Sequence, residues 1–87
     1  MAQSANSTFL TAKLTHGFRI ETETWADMDR KIHVLWSVFH GSEIVDAGYE
    51  VSCGSVKTVS DRLSFRNYVI DVASNSPIIG SIIKRLS

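Results

Sequence analysis

Three histidines and one cysteine are the residues of this sequence best suited to acid–base or metal chemistry. His16 and His40 adjoin predicted turns, whereas His33 is predicted to face Glu50 across a hairpin. A carboxylate beside an imidazole orients the ring for general base catalysis, although pairs of opposite charge are also common on solvated sheets. No serine or cysteine occupies a nucleophile motif. We therefore favour the solvated pair and predict no catalytic site.

The spacing of these residues matches no known metal or cofactor pattern. Cys53 and the scattered histidines lack the CxxC, HxH and HExxH arrangements of zinc sites. The glycines are isolated, and neither a GxxxxGKS or GxxxxGKT loop nor a GxGxxG loop occurs. We expect no metal and no cofactor, and we expect Cys53 to be a small buried side chain.

Composition limits the classes of partner. The chain has 87 residues, of which 44% are hydrophobic and 21% charged, and nine basic residues balance nine acidic ones. General binding to nucleic acid or anionic membrane requires a basic excess, which this balance does not provide. The single cysteine excludes an intrachain disulfide and favours a reducing compartment. Neither a signal-peptide pattern nor an apolar run of about 18 residues is present, so we predict a soluble, cytoplasmic chain with no membrane partner.

The segment from Trp25 to Phe39 has two interpretations. Apolar residues at spacings of three and four fit a helix that begins near Thr24 and ends at Gly41. Alternatively, Gly41 and Ser42 form the two-residue loop of a type II′ hairpin. We favour the hairpin because it accounts for two segments and the turn between them. It predicts the following apolar pairs on one face: Val38 with Val45, Trp36 with Ala47, Val34 with Tyr49, and Ile32 with Val51.

A second hairpin is predicted upstream. Its loop is Thr15-His16-Gly17, with glycine in the left-handed conformation. This loop opposes Leu14 with Phe18 and Ala12 with Ile20. Consecutive strands usually pair, so we predict a four-stranded antiparallel meander with strands at about 9–15, 18–25, 31–40 and 43–52. We expect residues 1–7 to form a flexible tail and residues 8–87 to form a single α+β domain.

The hydrophobic period changes after the last predicted strand. Residues 58–74 fit a helix with Thr58 as its N-cap and Asp61 in its first turn. Ser76 and Pro77 then form a capping pair that starts a short C-terminal helix over residues 77–86. We predict that the long helix packs on one face of the sheet and that the short helix closes the core. The alternative is that the short helix detaches and docks on another protein.

Arg62 and Arg66 lie one turn apart between two apolar clusters of the long helix. Their aliphatic stems can lie on the sheet while the guanidinium groups reach water. Alternatively, only one cluster packs on the sheet and both arginines face a protein partner, because arginine is enriched at interface hot spots. Both arginines are therefore candidate partner-binding residues. The clusters are Phe65, Tyr68, Val69 and Val72, and Val59, Leu63 and Ile70.

Leu35, Phe39 and Ile44 are left on the other side of the predicted sheet. The hairpin register pairs Phe39 with Ile44 and places Leu35 on the same face as this pair. A contiguous exposed apolar patch often marks an interaction site. We predict that these three residues bind a protein partner or a second copy in a homodimer. The alternative is that Phe9, Trp25 or the N-terminal tail folds over the patch.

The sequence therefore predicts a non-enzymatic protein-binding module that inhibits or modulates a larger protein or complex. Small domains without motifs are frequent among phage and mobile-element accessory proteins that block host enzymes, which is an argument from size alone. The alternative is a small nucleic-acid-binding regulator with a local basic patch, although carboxylates on the sheet oppose phosphate. That patch consists of Arg30, Lys31, Lys57, Arg62 and Arg66.

Overall fold

The computed structural model describes residues 7–54 and 59–86, and the side chains of residues 59 and 60 are outside this description. Four strands are followed by two helices, which confirms the predicted α+β fold. Residues 1–6 of the tail predicted at residues 1–7, and the N-cap predicted at Thr58, lie outside the described residues. The elements are β1 (Thr8–Lys13), β2 (Phe18–Ala26), β3 (Ile32–His40), β4 (Glu43–Val51), α1 (Val59–Ser74) and α2 (Pro77–Leu86).

The strands form one antiparallel sheet in the order β1-β2-β3-β4, as predicted. The segment that also fitted a helix is strand β3, so the hairpin interpretation is correct. Its turn depends on Gly41, whose φ of +67° is costly for most other residues. The loop between β1 and β2 uses two left-handed residues, His16 at φ 58° and Gly17 at φ 80°.

The predicted register of the β3–β4 hairpin is wrong by one residue over most of its length. Phe39 pairs with Ile44 as expected, but a β-bulge follows and Val38 pairs with Asp46. The bulge leaves Val45 without a partner on β3, and its side chain packs against the core around Phe18. An extra residue moves every later side chain of the strand to the opposite face. Trp36 therefore opposes Gly48 rather than Ala47, and Val34 opposes Glu50 rather than Tyr49.

The connection between β2 and β3 is closed by one aspartate. The backbone N–H of Asp27 donates to the Lys31 carbonyl, and the Asp27 carbonyl accepts from the Arg30 N–H, both with N···O distances of 3.0 Å. Its Oδ1 also accepts hydrogen bonds from the backbone N–H groups of Asp29, at 2.8 Å, and Lys31, at 3.0 Å. Arg30 adopts a left-handed φ of 62° within this turn. An aspartate side chain that accepts from the following backbone is a common way to stabilise a turn.

The helices cover one side of the sheet, here called the inner face, and no other described element packs on the opposite side, here called the outer face. Val69 of α1 packs on Ile32 and Val34. Ala73 of α1 and Ile79 of α2 pack on a second group of buried residues, which consists of Phe18, Ile20 and Val38. Every second side chain of β2 and β3 is therefore buried beneath the helices, as expected for an antiparallel sheet with helices on one side.

Helix α2 begins as the sequence predicts. The backbone N–H of Ile79 donates to Oγ of Ser76 at 3.3 Å, and Pro77 occupies the first helical position. Ile79 is buried in the core, and Ile82 and Ile83 are packed against it, so the helix is docked on the sheet. Within the described residues, neither helix is long and apolar enough to cross a membrane.

Candidate functional site

The outer face is a flat surface of four rows of side chains that run across the strands. Its residues follow from the strand register, because every second residue of a strand points to the same side. Only the third row is composed mainly of short side chains. The rows are Trp25-His33-Val51, Phe9-Glu23-Leu35-Tyr49, Thr11-Glu21-Ser37-Ala47, and Lys13-Arg19-Phe39-Ile44.

Several large apolar side chains of this face are exposed to solvent. The exposed fractions are 70% for Phe9, 57% for Ile44, 50% for Tyr49 and 47% for Leu35. Val51 adds a fifth exposed apolar side chain at the end of β4. Leu35, Tyr49 and Val51 are neighbours on β3 and β4, and contiguous exposed apolar side chains often mark an interaction site.

The structure places all three predicted patch residues on this face but separates them. Ile44 is exposed beside Phe39, whereas Leu35 lies two rows away next to Tyr49. The row of Ser37 lies between them. Phe39 is half-buried because the Arg19 guanidinium lies over its ring, with Cζ 4.3 Å from the ring centroid. Phe9 is itself exposed and Trp25 stacks on His33 in the first row, so neither is packed over Phe39 and Ile44, whereas residues 1–6 of the tail lie outside the described residues.

Arg19 is held in a fixed position on the outer face. Its Nη1 donates a hydrogen bond of 2.7 Å to the carbonyl oxygen of Gly41, and its Nε lies 3.6 Å from Oε2 of Glu21. Together with the contact to Phe39, these interactions position the guanidinium above the β2–β3 pair. Glu23, one row beyond Glu21, has no hydrogen-bond or ion-pair partner among the described residues.

Tyr49 belongs to a hydrogen-bonded cluster at the other end of the face. The His33 ring donates from Nε2 to Oδ2 of Asp27 at 2.7 Å, and its Nδ1 is hydrogen-bonded to the Tyr49 hydroxyl. Since Nε2 carries the proton, Nδ1 accepts from the hydroxyl while the ring is neutral. Trp25 stacks on the imidazole with a centroid distance of 5.1 Å and an interplanar angle of 5°.

The prediction that His33 faces Glu50 is wrong. The bulge pairs His33 with Val51 and moves Glu50 to the inner face, and Asp27 supplies the carboxylate instead. The hydrogen bond from His33, followed by that from the Lys31 backbone, holds the pKa of Asp27 below its ordinary value of 3.8. Both imidazole nitrogens are engaged within the protein, so neither has a free position for a substrate proton. The cluster therefore orients Trp25 and Tyr49 on the surface.

Arg62 and Arg66 do not join the outer face. They lie on the same side of α1 as Val69 and Ala73, at helical spacings of four and three, and that side faces the inner face of the sheet. Both arginines are half-buried, and the Nε atom of each is buried with no hydrogen-bond partner among the described residues. Nη2 of Arg66 donates to Oδ1 of Asn67 at 2.9 Å. The five candidate residues therefore occupy two separate surfaces.

Metal-binding and thiol groups form no further site in the described part of the chain. In residues 7–54 and 59–86, no three histidine, cysteine, aspartate or glutamate side chains are placed to hold a metal ion. Cys53 is exposed, contrary to the expectation that it is buried, because it follows the end of β4 rather than a core position. Lys57 of the candidate basic patch lies outside the described residues, and Arg30 and Lys31 are exposed in the β2–β3 turn.

Sequence reasoning missed Val51 and, more importantly for this face, Tyr49. The register predicted from the sequence, which lacks the bulge and is here called the unshifted register, assigned Tyr49 to the helix-covered side, opposite Val34. The signal for the true register is Gly48, since a glycine within a strand often marks close approach of a neighbouring group. Here that group is the Trp36 indole, which lies over Gly48.

Comparisons with protein-family models, with curated proteins and with solved structures gave no match for this chain.

Proposed function

We propose that this chain is a cytoplasmic, non-enzymatic protein-binding module whose outer face docks on a larger protein or complex. The observation that carries this proposal is a sheet face with large exposed apolar side chains on which no described helix or loop packs, opposite a face that two helices cover. A chain that binds in this way inhibits or modulates its target by occupying a surface of it. The exposed residues are Phe9, Leu35, Ile44, Tyr49 and Val51.

The rigidity of the face supports this proposal. The Tyr49 hydroxyl is hydrogen-bonded to His33, and the Arg19 guanidinium is bonded to the Gly41 carbonyl and stacked on Phe39. Side chains that are already ordered lose little conformational freedom on binding, which favours affinity. Tyrosine and arginine are also among the residue types that most often carry binding energy at protein interfaces.

The polar groups of the face agree with a protein partner more than with nucleic acid. Glu21 and Glu23 lie in the third and second rows, and Asp27 lies beside the first. Carboxylates repel the phosphate backbone, whereas protein interfaces accommodate both signs of charge at their polar rim. The nucleic-acid alternative depends on the surface of α1, where Arg62 and Arg66 have their Nε atoms buried.

Affinity capture with the immobilised chain tests the proposal. The source is a nuclease-treated lysate of the organism that encodes it. We expect the wild-type chain to retain a stoichiometric protein and Tyr49→Asp to lose it, because a carboxylate at the centre of an apolar interface is desolvated without a partner. Met28→Asp is the matched control, since Met28 is fully exposed in the β2–β3 turn. Circular dichroism establishes that each variant is folded.

A variant on α1 separates the sheet surface from the helix surface. Val72 is exposed to a similar extent as Tyr49, at 54% against 50%, but lies on the helix layer. If Val72→Asp loses the captured protein while Tyr49→Asp keeps it, the outer face is not the docking surface. If every retained molecule is lost on nuclease treatment, the chain is instead a nucleic-acid-binding regulator.

A further inference from the structure

On the outer face the charged side chains are confined to β1 and β2, which also carry Phe9 and Trp25, whereas β3 and β4 are mainly apolar. The charged side chains belong to β1 and β2, and they are Lys13, Arg19, Glu21 and Glu23. The residues of β3 and β4 on this face are mainly apolar, with Leu35, Phe39, Ile44 and Tyr49 as the largest. A partner that matches this surface must therefore present charges to one half and apolar groups to the other.

The charges also alternate in sign along the strand direction. Arg19 lies in the fourth row and Glu23 in the second. Both are therefore one row away from the third row, which contains Glu21 and Ser37, but on opposite sides of it. Arg19 and Glu23 are thus of opposite charge and equally distant from that central row. Arg19 is already fixed by the Gly41 carbonyl, whereas Glu23 has no partner among the described residues.

We infer that the outer face binds a second copy of this chain, related by a two-fold axis that lies along the Thr11-Glu21-Ser37-Ala47 row. In the resulting dimer, each strand lies over the same strand of the other copy and runs in the opposite direction. This axis places Arg19 of one copy over Glu23 of the other. The apolar halves also meet, with Phe39 over Leu35 and Ile44 over Tyr49. Each contact occurs twice, as an isologous interface requires. This inference rests on the proposed function, because both place a protein on the same face.

The alternative two-fold axis, parallel to the strands, fits the face poorly. It preserves the rows and reverses the strand order, so β2 of one copy lies over β3 of the other. Glu23 would then meet Leu35, which leaves a carboxylate against an apolar side chain without compensation. The chosen axis runs over Ser37 and Ala47, whose short side chains allow two sheets to approach to the usual separation of about 10 Å. It also brings the two copies of Glu21 together, each with its Oε2 3.6 Å from the Arg19 Nε of its own chain, and it places Phe9 over Lys13. The net charge of zero means that overall charge does not oppose self-association.

Charge exchange at the two predicted contact positions tests the inference. The assay is the molar mass of the purified chain over a wide concentration series, measured by analytical ultracentrifugation. We expect the wild-type chain to dimerise. Arg19→Glu and Glu23→Arg should each weaken the dimer by about tenfold or more, because two contacts become repulsive in each case. An equimolar mixture of the two variants should restore dimer formation, since both contacts of the mixed dimer then join a glutamate of one variant to an arginine of the other.

Each outcome decides the inference. Recovery of the dimer only in the mixture supports it, because neither folding defects nor general charge effects are corrected by a second variant. A wild-type chain that stays monomeric at all concentrations overturns it, as does dimerisation that both variants retain. A monomeric chain that still captures a protein in a Tyr49-dependent manner contradicts the dimer alone and leaves the proposed function standing. A dimer that forms without any Tyr49-dependent heterologous capture supports the inference and contradicts the wider proposal.

Discussion

Substitution of Gly48 by alanine tests the register of β4, on which the composition of the outer face depends. A Cβ atom at this position would lie 2.6 Å from Cε2 and 2.9 Å from Nε1 of Trp36, and real Cβ atoms essentially never come closer than 3.0 Å to other heavy atoms. Overpacking of this kind costs about 1–3 kcal/mol. The lower conformational entropy of unfolded alanine offsets about 0.4–1 kcal/mol of that cost. The midpoints of these two ranges differ by about 1.3 kcal/mol, so we expect Gly48→Ala to lower the free energy of unfolding by about 1–2 kcal/mol.

Urea denaturation measures this change, with an unchanged m-value as the criterion that only stability differs. A loss of this size corresponds to a decrease in Tm of about 4–16 °C for a domain of this length. The expected loss should vanish when Trp36 is first replaced by leucine, because the indole that the new methyl group meets is absent. Gly80→Ala is the matched control, since a Cβ there meets no atom within 4 Å.

The unshifted register makes a different prediction for the same substitution. It places Ala47 opposite Trp36 and Gly48 on the outer face opposite Leu35, where a methyl group has space. If Gly48→Ala is neutral or stabilising with Trp36 present, or costs the same in the Trp36→Leu background, the bulged register is incorrect. Tyr49 would then not lie on the outer face.

Three further predictions concern other parts of the chain. Asp27 has a pKa below 3.8 in the folded state, so its contribution to stability is fully present above pH 3.8 and is lost as the pH falls through the folded pKa. In Asp27→Asn, the free energy of unfolding measured by urea denaturation should therefore fall less steeply with pH in this acid range. Gly80→Ala should stabilise α2 by about 0.5–1 kcal/mol in the same assay, because glycine is a poor helix former; no change would place Gly80 outside regular helix. Arg66→Met should retain or raise the free energy of unfolding by up to about 1 kcal/mol, since the stem keeps its packing while a buried unpartnered Nε is removed; a large loss would indicate an ionic role for this residue.

Features set by local backbone chemistry were predictable from the sequence. Gly41 and Gly17 mark the two hairpin turns because few other residues adopt positive φ at low cost. Ser76 and Pro77 mark the start of α2 because their preferences at the N-cap and first helical positions are strong. Alternating apolar residues then determine which face of β2 and β3 is covered.

The bulge in β4 was not predicted because the register without it gives four apolar pairs, whereas the observed register opposes Val38 with Asp46 and Val34 with Glu50. Packing of Val45 against the core around Phe18 favours the extra residue, and that contact joins segments far apart in sequence. The same limit applies to the partner of His33, since Asp27 reaches it only through the shape of the β2–β3 turn. Contacts of this kind depend on tertiary structure, which periodicity alone does not encode.

The packing direction of α1 was ambiguous for a different reason. Apolar residues flank Arg62 and Arg66 on both sides of the helix, so the hydrophobic pattern does not define one buried stripe. In the structure Val69 and Ala73 face the sheet, and the two arginines share their side of the helix. Whether the arginines bind a partner stays a prediction.

The most direct test of the proposed docking face is side-chain footprinting of two tyrosines within one molecule. Tyr49 lies on the outer face and Tyr68 on α1, with exposed fractions of 50% and 63%, so their intrinsic reactivity toward hydroxyl radicals is comparable. Labelling is compared between the free chain and the chain bound to its captured protein, or to a second copy at high concentration. We expect Tyr49 to be protected on binding and Tyr68 to keep its reactivity. Protection of Tyr68 with unchanged labelling of Tyr49 would contradict the assignment of the outer face as the binding surface.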